Sequence, residues 1–346
     1  MAAVTVDPIL VEGLQRSFGD IVAVDGIDLS VGDGEVFGFL GPNGAGKSTL
    51  VRMLVTLLKP TGGRARVAGF DVVTQAADVR ANIGVALQDA AIDPLMTGRE
   101  LLRLQAVLHG IGRKLGDERS ERLLDRVGLT DAADRLVGGY SGGMRRRLDL
   151  ALALMHEPRV LFLDEPTTGL DPMSRLTLWE EVRRLNTEYG ATVFLTTQYL
   201  EEADELAHRV AIIDRGRIVR EGTPAALKAQ VGCPTLLIDV SADAQERARA
   251  ILGRFGGERA ARSGRLAVGL EAGATAMTDV VRALDDAGIE IVHIELDAPS
   301  LDDVFAEATG RRLEGAEEEV EEEAAPGQPG GGGRRGRRGR RGRRGS

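Results

Sequence analysis

A glycine-rich segment with one lysine, residues 41–49, has the residue types and spacing of a loop that binds phosphate groups. It follows an apolar stretch, residues 35–40, which we interpret as a buried strand. Glycines allow backbone angles that a Cβ would forbid, so successive N–H groups can turn inward around an anion. The segment therefore predicts a nucleoside triphosphate site between a strand and a helix over residues 47–57. The loop residues are Gly41, Pro42, Asn43, Gly44, Ala45, Gly46, Lys47, Ser48 and Thr49.

Two residues of this loop have the chemistry to contact a bound triphosphate and its metal ion. The ammonium of Lys47 is expected to reach the β- and γ-phosphates, and the hydroxyl of Ser48 is expected to bind Mg²⁺. The simpler interpretation is a glycine-rich turn that caps an ordinary helix. Lysine occurs at only four positions of the 346-residue chain, so a lysine at this point of the motif favours the nucleotide site.

A second segment, residues 160–166, is an apolar run that ends in two adjacent carboxylates, Asp164 and Glu165. Such a run is typical of a buried parallel strand, whose carboxyl end lies at the sheet edge where ligands bind. We expect Asp164 to hold Mg²⁺ and Glu165 to orient and deprotonate the attacking water. The alternative, two solvated turn acids, is weakened by the phosphate loop earlier in the chain.

Length and composition limit the class of protein. The 346 residues, 43% of them hydrophobic, suffice for one large or two moderate domains with a sizeable core. No apolar stretch is long enough to span a bilayer, and residues 1–10 do not resemble a secretory signal. The single cysteine, Cys233, cannot form an intrachain disulfide, and the four histidines are scattered. We therefore expect a soluble, intracellular protein.

Charge is unevenly distributed along the chain. The net charge is −9, but residues 334–344 contain eight arginines, so the remainder has 36 basic and 53 acidic residues, a net charge of −17. An acidic body argues against a nucleic-acid-binding protein. Residues 314–346 combine a glutamate run with glycine and arginine repeats, which predicts a disordered tail. We expect a solvated tail, with anionic lipid or RNA as alternative partners.

Strand-like and helix-like segments alternate over residues 9–230, which predicts an α/β fold. With the phosphate loop at residues 41–49, this fold is expected to be a P-loop nucleotide-hydrolase core. The predicted strands are residues 27–31, 35–40, 83–88, 160–164, 192–196 and 210–213. Residues 97–155 differ, because apolar residues at helical spacing extend over 99–109 and 118–127, and a third helix is expected over 141–155. The pattern predicts a helical insert within the α/β core.

Residues 234–310 form a further segment that opens at Pro234. We expect strands over 235–240, 265–270 and 289–296, and helices over 244–255, 278–287 and 301–308. This order of elements predicts a small α+β accessory domain.

The segment Tyr140-Ser-Gly-Gly-Met144 opens a helix between the phosphate loop and the paired acids. Alone, Ser141 would be an ordinary helix cap followed by two glycines. In this order along the chain, the three motifs resemble those of the ATP-binding cassette (ABC) ATPases, whose signature is usually Leu-Ser-Gly-Gly-Gln. The resemblance covers about residues 9–228, and this copy departs from the usual signature at Tyr140 and Met144.

The resemblance implies further roles for individual residues. Phe18 would stack on adenine, Gln88 would contact Mg²⁺ and the lytic water, and Asp171 would cross a dimer interface. The helix that follows the signature would face the γ-phosphate bound to the opposite subunit, because a helix N-terminus is a good anion site. Two ATP molecules would then lie between two copies of the chain. The signature residues implied in this contact are Ser141, Gly142 and Gly143.

At the position where the family usually has a histidine that senses the γ-phosphate, this chain has Gln198. Gln198 can donate an amide hydrogen bond at similar reach, but it cannot become cationic or relay a proton. We therefore place Gln198 in the catalytic site and keep Glu165 as the base. Residues 140–149, 196–204 and 300–305 resemble the daunorubicin/doxorubicin-resistance branch of drug-efflux ATPases.

The resemblance implies the ATP-hydrolysing subunit of an ABC exporter, with ATP and Mg²⁺ as cofactors, on the cytoplasmic face of the cell membrane. Its partners would be a second copy and a separate transmembrane permease, with residues 89–100 as the docking groove for the permease.

Two other functions stay open from the sequence. A soluble ABC ATPase acting on ribosomes or nucleic acid is favoured by the basic tail, but the single cassette and the lack of sustained heptads argue against it. An ABC importer ATPase would differ only in its partner and its C-terminal domain. A GTPase is disfavoured, because the chain has no Asn-Lys-x-Asp base-reading motif.

Overall fold

The computed structural model describes residues 7–87, 92–241, 243–258, 265–270, 273 and 275–311 of the chain. The chain divides into two units, residues 1–313 and residues 314–346. The second unit, which contains the tail predicted to be disordered, lies outside the described residues, so disorder and a lipid or RNA partner stay predictions.

The described residues contain α-helices and β-strands in mixed order. The strands are β1 (Ile9–Phe18), β2 (Ile21–Val31), β3 (Val36–Leu40), β4 (Gly62–Val67), β5 (Phe70–Asp71), β6 (Ile83–Ala86), β7 (Val160–Asp164), β8 (Thr192–Thr197), β9 (Arg209–Asp214), β10 (Arg217–Gly222), β11 (Thr235–Val240), β12 (Leu266–Gly269) and β13 (Ile291–Asp297). The helices are α1 (Lys47–Leu54), α2 (Ala76–Asn82), α3 (Gly98–Leu108), α4 (Arg113–Arg126), α5 (Gly142–Leu154), α6 (Pro172–Tyr189), α7 (Leu200–Leu206), α8 (Pro224–Val231), α9 (Gln245–Leu252), α10 (Ala276–Asp286) and α11 (Leu301–Thr309).

The central sheet has six strands in the order β10-β9-β3-β8-β7-β6. Strands β9, β3, β8, β7 and β6 run parallel, and β10 pairs with β9 in the antiparallel direction. Leu40 at the end of β3 pairs with Thr197, and Asp164 at the end of β7 pairs with Thr196. The carboxyl ends of three neighbouring strands therefore meet at one edge, as predicted for a nucleotide site.

The strands of this sheet are apolar because helices or a second sheet cover both of its faces. Every residue of β3, β7 and β8 is buried. Phe37, Phe39 and Phe162 surround Phe194, with ring centroids 5.6 to 5.7 Å apart. Continuous apolar runs of this kind are typical of doubly covered parallel strands, which is why the sequence located these three strands correctly.

A second, antiparallel sheet has the strand order β2-β1-β4-β5 and packs against α1. Only residues 27–31 of it were predicted. Register shifts interrupt the pairing of β1 with β2, and Gly13 within β1 has a φ of 55°. Such bulges break the alternation of apolar and polar residues that identifies a strand in a sequence. Helix α1 also ends earlier than predicted, at Leu54, and Thr56 adopts a left-handed φ of 67°.

The helical insert consists of α3, α4 and α5 around an apolar cluster of its own. Helix α3 starts with a capping box. The Thr97 hydroxyl accepts from the backbone N–H of Glu100, and the Glu100 carboxylate accepts from the backbone N–H of Thr97. Helix α4 begins at Arg113, five residues before the predicted start at 118. The observed helices lie within the predicted insert, residues 97–155, and two short 3₁₀ turns separate α4 from α5.

The C-terminal segment contains a three-stranded antiparallel sheet in the order β12-β11-β13, covered by α9 and α10. The last helix, α11, belongs to a different apolar cluster from that of the three-stranded sheet. Its Leu301, Val304 and Phe305 enter the apolar cluster that contains Leu40 of β3 and Leu227 of α8. The final helix therefore packs against the predicted nucleotide-hydrolase core. The boundaries of separate domains at residues 9–230 and 234–310 stay predictions.

Candidate functional site

The phosphate loop connects β3 to α1 and closes tightly over the end of the sheet. Gly46, the residue before α1, has a φ of 111°, and a Cβ there would lie 2.4 Å from the backbone oxygen of Ala23. A Cβ on Gly41 would lie 2.4 Å from the backbone oxygen of Ile213. Both contacts are with main chain, which cannot move aside as a side chain can. The loop therefore requires glycine at these two positions, for space at both and for a left-handed φ at Gly46.

Lys47 is buried at the centre of this loop. Its Nζ donates to the carbonyl oxygens of Gly41 at 2.7 Å and Pro42 at 3.2 Å, and it pairs with Glu165 Oε1 at 3.2 Å. Its side chain is only 4% exposed and that of Glu165 only 6%. An ammonium held by its own loop and a single carboxylate is placed to exchange that carboxylate for a phosphate.

Asp164 and Ser48 meet at the end of β7. The Ser48 hydroxyl donates to Asp164 Oδ1 at 3.3 Å, and the Thr196 hydroxyl donates to the same oxygen. One carboxylate and one hydroxyl are the hard oxygen ligands that Mg²⁺ accepts when phosphates and water complete its shell. No group of three or more His, Cys, Asp or Glu residues that could hold a metal occurs among the described residues. The donors thus fit Mg²⁺ shared with a nucleotide.

Glu165 is positioned by its backbone. The residue has a left-handed φ of 47°, and its N–H donates to the Thr196 carbonyl oxygen at 3.0 Å. Its Oε2 accepts from the Thr168 hydroxyl at 3.3 Å. A non-glycine residue in this conformation carries strain of roughly 1–2 kcal/mol, which the surrounding hydrogen bonds offset. In this conformation the Glu165 carboxylate pairs with Lys47.

The signature segment and the residue predicted to cross a dimer interface both cap helices. Ser141 accepts from the Met144 N–H at 3.2 Å at the start of α5. Asp171 accepts from the Ser174 N–H at 3.0 Å and from the Ser174 hydroxyl at 2.6 Å, which lowers the Asp171 pKa. Gly143 packs against Ser174, because a Cβ there would lie 2.6 Å from the Ser174 hydroxyl oxygen.

Ser141, Gly142 and Asp171 are all exposed. The N-termini of α5 and α6 are neighbours, because Gly143 packs against Ser174. The contacts of these residues within one chain are local caps. A contact between these residues and a nucleotide would therefore require a second copy of the chain.

The remaining predicted site residues lie at different depths. Phe18 ends β1, is 46% exposed and has the Arg16 guanidinium 4.5 Å from its ring centre. Gln198 follows β8 directly and is half-buried. Gln88 lies outside the described residues, although β6, which precedes it, is part of the central sheet.

Arg146, which the sequence did not single out, joins the signature helix to the sheet edge. Its guanidinium donates to the carbonyl oxygens of Leu87 at 2.7 Å, Pro166 at 2.8 Å and Asp164 at 3.0 Å. It also pairs with Asp149 at 3.0 Å, and burial raises the Asp149 pKa to about 6. A guanidinium presents five N–H donors in a fixed fork, so one side chain can fix all these groups.

Glu202 on α7 is a second buried charge that the sequence did not indicate. It is fully buried, and its Oε1 accepts from the indole N–H of Trp179 on α6 at 3.1 Å. Burial raises its pKa to about 6, while the hydroxyls of Thr197 and Thr167 and the indole act in the opposite direction. The available signal was helical spacing, since Glu202 shares the buried face of α7 with Ala203 and Leu206.

A phosphate loop, an adjacent hydroxyl–carboxylate pair and a buried glutamate on one edge of a parallel sheet define a P-loop nucleotide hydrolase. None of the helices in the described part of the chain is both long enough and apolar enough to cross a membrane.

Comparison with known proteins identifies the family. Residues 24–168 match the family model described as ABC transporter, and residues 222–309 match the model described as ATP-binding protein DrrA1-3-like, C-terminal domain. The chain is 49% identical over 310 residues to the Daunorubicin resistance ATP-binding protein DrrA2 of Streptomyces coeruleorubidus, covering 88% of this chain and 96% of that protein. It is 46% identical over 325 residues to the Daunorubicin/doxorubicin resistance ATP-binding protein DrrA of Streptomyces peucetius, covering 90% and 96%.

Solved structures agree with the fold. A dimeric structure of a bacterial ABC transporter cassette is 25% identical and superposes with a TM-score of 0.58, covering 62% of this chain and 98% of that one. The chain belongs to the ABC transporter ATP-binding family, in the group of the daunorubicin-resistance ATP-binding proteins, and it hydrolyses ATP. The predicted family, fold class and enzymatic activity are confirmed.

The phosphate loop yields a direct test. We expect Gly46→Ala to lower ATP affinity at least tenfold, because the new Cβ would overlap the Ala23 carbonyl oxygen and force the loop open. Calorimetric titration with ATP measures the affinity. Gly190→Ala is the matched control, since Gly190 also has a positive φ, 63°, but has no atom within 4 Å of its Cβ position. Wild-type affinity in Gly46→Ala would show that the loop geometry is not needed for binding.

Proposed function

We propose that the chain is the ATP-hydrolysing subunit of an ABC exporter that removes a drug or antibiotic from the cell. It is proposed to work at the cytoplasmic face of the membrane with a separate transmembrane permease. The observation that supports export is the likeness to proteins of daunorubicin resistance over 88% of the chain. The match of residues 222–309 to the C-terminal domain of that group favours an exporter over an importer.

In the proposed reaction, the chain's own residues bind and orient ATP. The loop N–H groups and Lys47 hold the β- and γ-phosphates, and the phosphates replace Glu165 as the partner of the Lys47 ammonium. Glu165 is then free to accept a proton from the attacking water. Ser48 and Asp164, together with Gln88, would hold Mg²⁺, which neutralises charge that develops on the phosphate oxygens.

Three further residues complete the proposed site. The exposed ring of Phe18 is available to stack on adenine. Gln198, at the end of the strand between β3 and β7, would donate its amide to the γ-phosphate. The neutral amide cannot relay a proton, so the proton from water goes to Glu165.

We propose that two copies of the chain form a dimer around two ATP molecules. Support comes from the exposed N-termini of α5 and α6, where Ser141 and Asp171 lie on the surface. The signature glycines leave the helix end open to an anion. A closed dimer held by ATP and opened by hydrolysis would turn phosphate chemistry into movement of the permease.

We propose that an apolar surface of the helical insert contacts the permease. On α3, Leu104, Val107 and Leu108 are 45%, 69% and 71% exposed, and they share one face of the helix. The opposite face, with Leu102 and Ala106, enters the cluster of the insert. An apolar helix face of this kind is typical of a contact with another protein. It belongs to the helix that begins within the predicted docking segment, residues 89–100.

The role of Glu165 is tested by Glu165→Gln. We expect phosphate release to fall at least a hundredfold, because the amide cannot accept the proton from water. ATP should still bind, and a dimer should accumulate with ATP, as measured by light scattering after size exclusion. Glu246→Gln changes an exposed glutamate of α9 and should hydrolyse ATP at the wild-type rate. Undiminished phosphate release from Glu165→Gln would remove it as the base.

The permease surface is tested by Leu108→Glu. We expect this variant to bind ATP normally, but to lose at least tenfold in the fraction bound to membranes that contain its co-expressed permease, because a charge replaces the apolar contact. Doxorubicin uptake into inverted vesicles should fall in parallel. Val292→Glu is the control, since Val292 on β13 is 72% exposed but lies outside the insert. Membrane binding that is equal in the two variants would contradict the docking surface, and absence of any drug uptake would contradict drug export.

A further inference from the structure

The buried carboxylate of Glu202 lies near two segments of the proposed site, one that bears Glu165 and one that bears Gln198. Glu202 is fully buried on α7, and only its Oε1 has a well-formed hydrogen bond, from the Trp179 indole. A carboxylate in such a place is costly, because burial removes its hydration and raises the Glu202 pKa. An apolar residue or a glutamine would fill the same space at lower cost.

The neighbours of Glu202 come from the two segments that carry the proposed catalytic groups. Thr197, whose hydroxyl favours the charged form of Glu202, immediately precedes Gln198. Thr167, whose hydroxyl acts in the same sense, is two residues after Glu165. The Thr197 hydroxyl also accepts from the Tyr199 N–H at 2.9 Å, which fixes the start of α7.

Arg146 brings the signature helix into the same network. The positive charge of Arg146 favours ionised Glu202, and the same guanidinium donates to the carbonyl oxygens on both sides of Glu165, those of Asp164 and Pro166. Arg146 therefore holds the turn that bears Glu165, and Thr167 in the same turn is a neighbour of Glu202.

The contact between Glu202 and this turn is incomplete. Glu202 Oε2 and Thr167 Oγ1 are both buried, and neither has a hydrogen-bond partner of acceptable geometry. The Thr167 hydroxyl is nevertheless close enough to lower the Glu202 pKa. A small rotation of the turn would align the two groups, and hydrogen bonds at catalytic sites often tighten only when substrate is bound.

We propose that Glu202 is a positioning residue for ATP hydrolysis, which aligns the turn bearing Glu165 with the segment bearing Gln198 through Thr167 and Thr197. The proposal depends on the proposed roles of Glu165 and Gln198. Glu202 itself touches neither ATP nor the attacking water. Its effect is on the alignment of the base, so it acts on the rate of the chemical step rather than on ATP binding.

The test is Glu202→Gln, which keeps the size of the side chain and an acceptor for the Trp179 indole. We expect kcat for ATP to fall about ten- to a hundredfold, with KM changed by no more than about threefold. Glu201→Gln alters the neighbouring exposed glutamate of the same helix and should have wild-type kinetics. Thr167→Val, which removes the hydroxyl without a change of shape, should lower kcat in the same way and is available if Glu202→Gln does not fold.

Trp179 is the only tryptophan of the chain, so its fluorescence reports on Glu202 directly. We expect ATP to shift the emission of the wild-type protein and Thr167→Val to diminish that shift, because the carboxylate no longer gains its second partner. A purely structural role for Glu202 would lower the unfolding temperature but leave kcat and the ATP-dependent emission unchanged.

The outcomes separate this proposal from the function on which it depends. Wild-type kcat in Glu202→Gln and Thr167→Val overturns the role of Glu202. A higher KM with unchanged kcat also overturns it, because that pattern assigns the residue to binding. If Glu165→Gln hydrolyses ATP normally, the proposed base fails whatever Glu202 does.

Discussion

A buried ammonium at the end of a parallel sheet sets the main constraint on this protein. Burial removes water from the Lys47 ammonium. Two carbonyl oxygens of its own loop and the Glu165 carboxylate replace the lost hydration. Burying a charge is costly unless it is paired, so the loop must fold closely around the ammonium and Glu165 must lie opposite. The glycines at 41 and 46 let the loop pack closely against the backbone of Ile213 and Ala23, and Glu165 has a left-handed φ.

Strand order brings these groups together from distant parts of the chain. Strands β3, β8 and β7 are neighbours, so the phosphate loop, Gln198 and Asp164 follow adjacent strand ends although more than a hundred residues separate the loop from the acids. The same edge receives Arg146 from the helical insert, through hydrogen bonds to Leu87 and Asp164. A shift of the insert would therefore move the turn that bears Glu165, the proposed base. If the proposed permease binds the insert, this link is a physical basis for coupling its movement to hydrolysis at the sheet.

The sequence predicted the parts of the fold whose pattern is local. Strand β7 was located to the residue, because a continuous apolar run ending in acids is distinctive, and the helices of the insert were found from their spacing. Most of the antiparallel sheet was not found, since bulges in β1 and glycines at the start of β4 break its alternation. The roles of Phe18, Gln88 and Asp171 came only from family resemblance. Arg146 and Glu202 were missed because their partners are backbone carbonyls, hydroxyls and an indole that only the folded chain brings near.

The central claim is that ATP lies between the phosphate loop of one copy and the signature helix of another. The most direct measurement mixes two variants in a background of Cys233→Ser and Glu165→Gln, one with Asn43→Cys and one with Ser141→Cys, and adds a short thiol cross-linker. We predict that MgATP makes the mixed 43–141 cross-link between subunits the dominant product over the 43–43 and 141–141 products. A cross-link yield that is the same with and without ATP, or cross-links between identical positions only, would contradict the account.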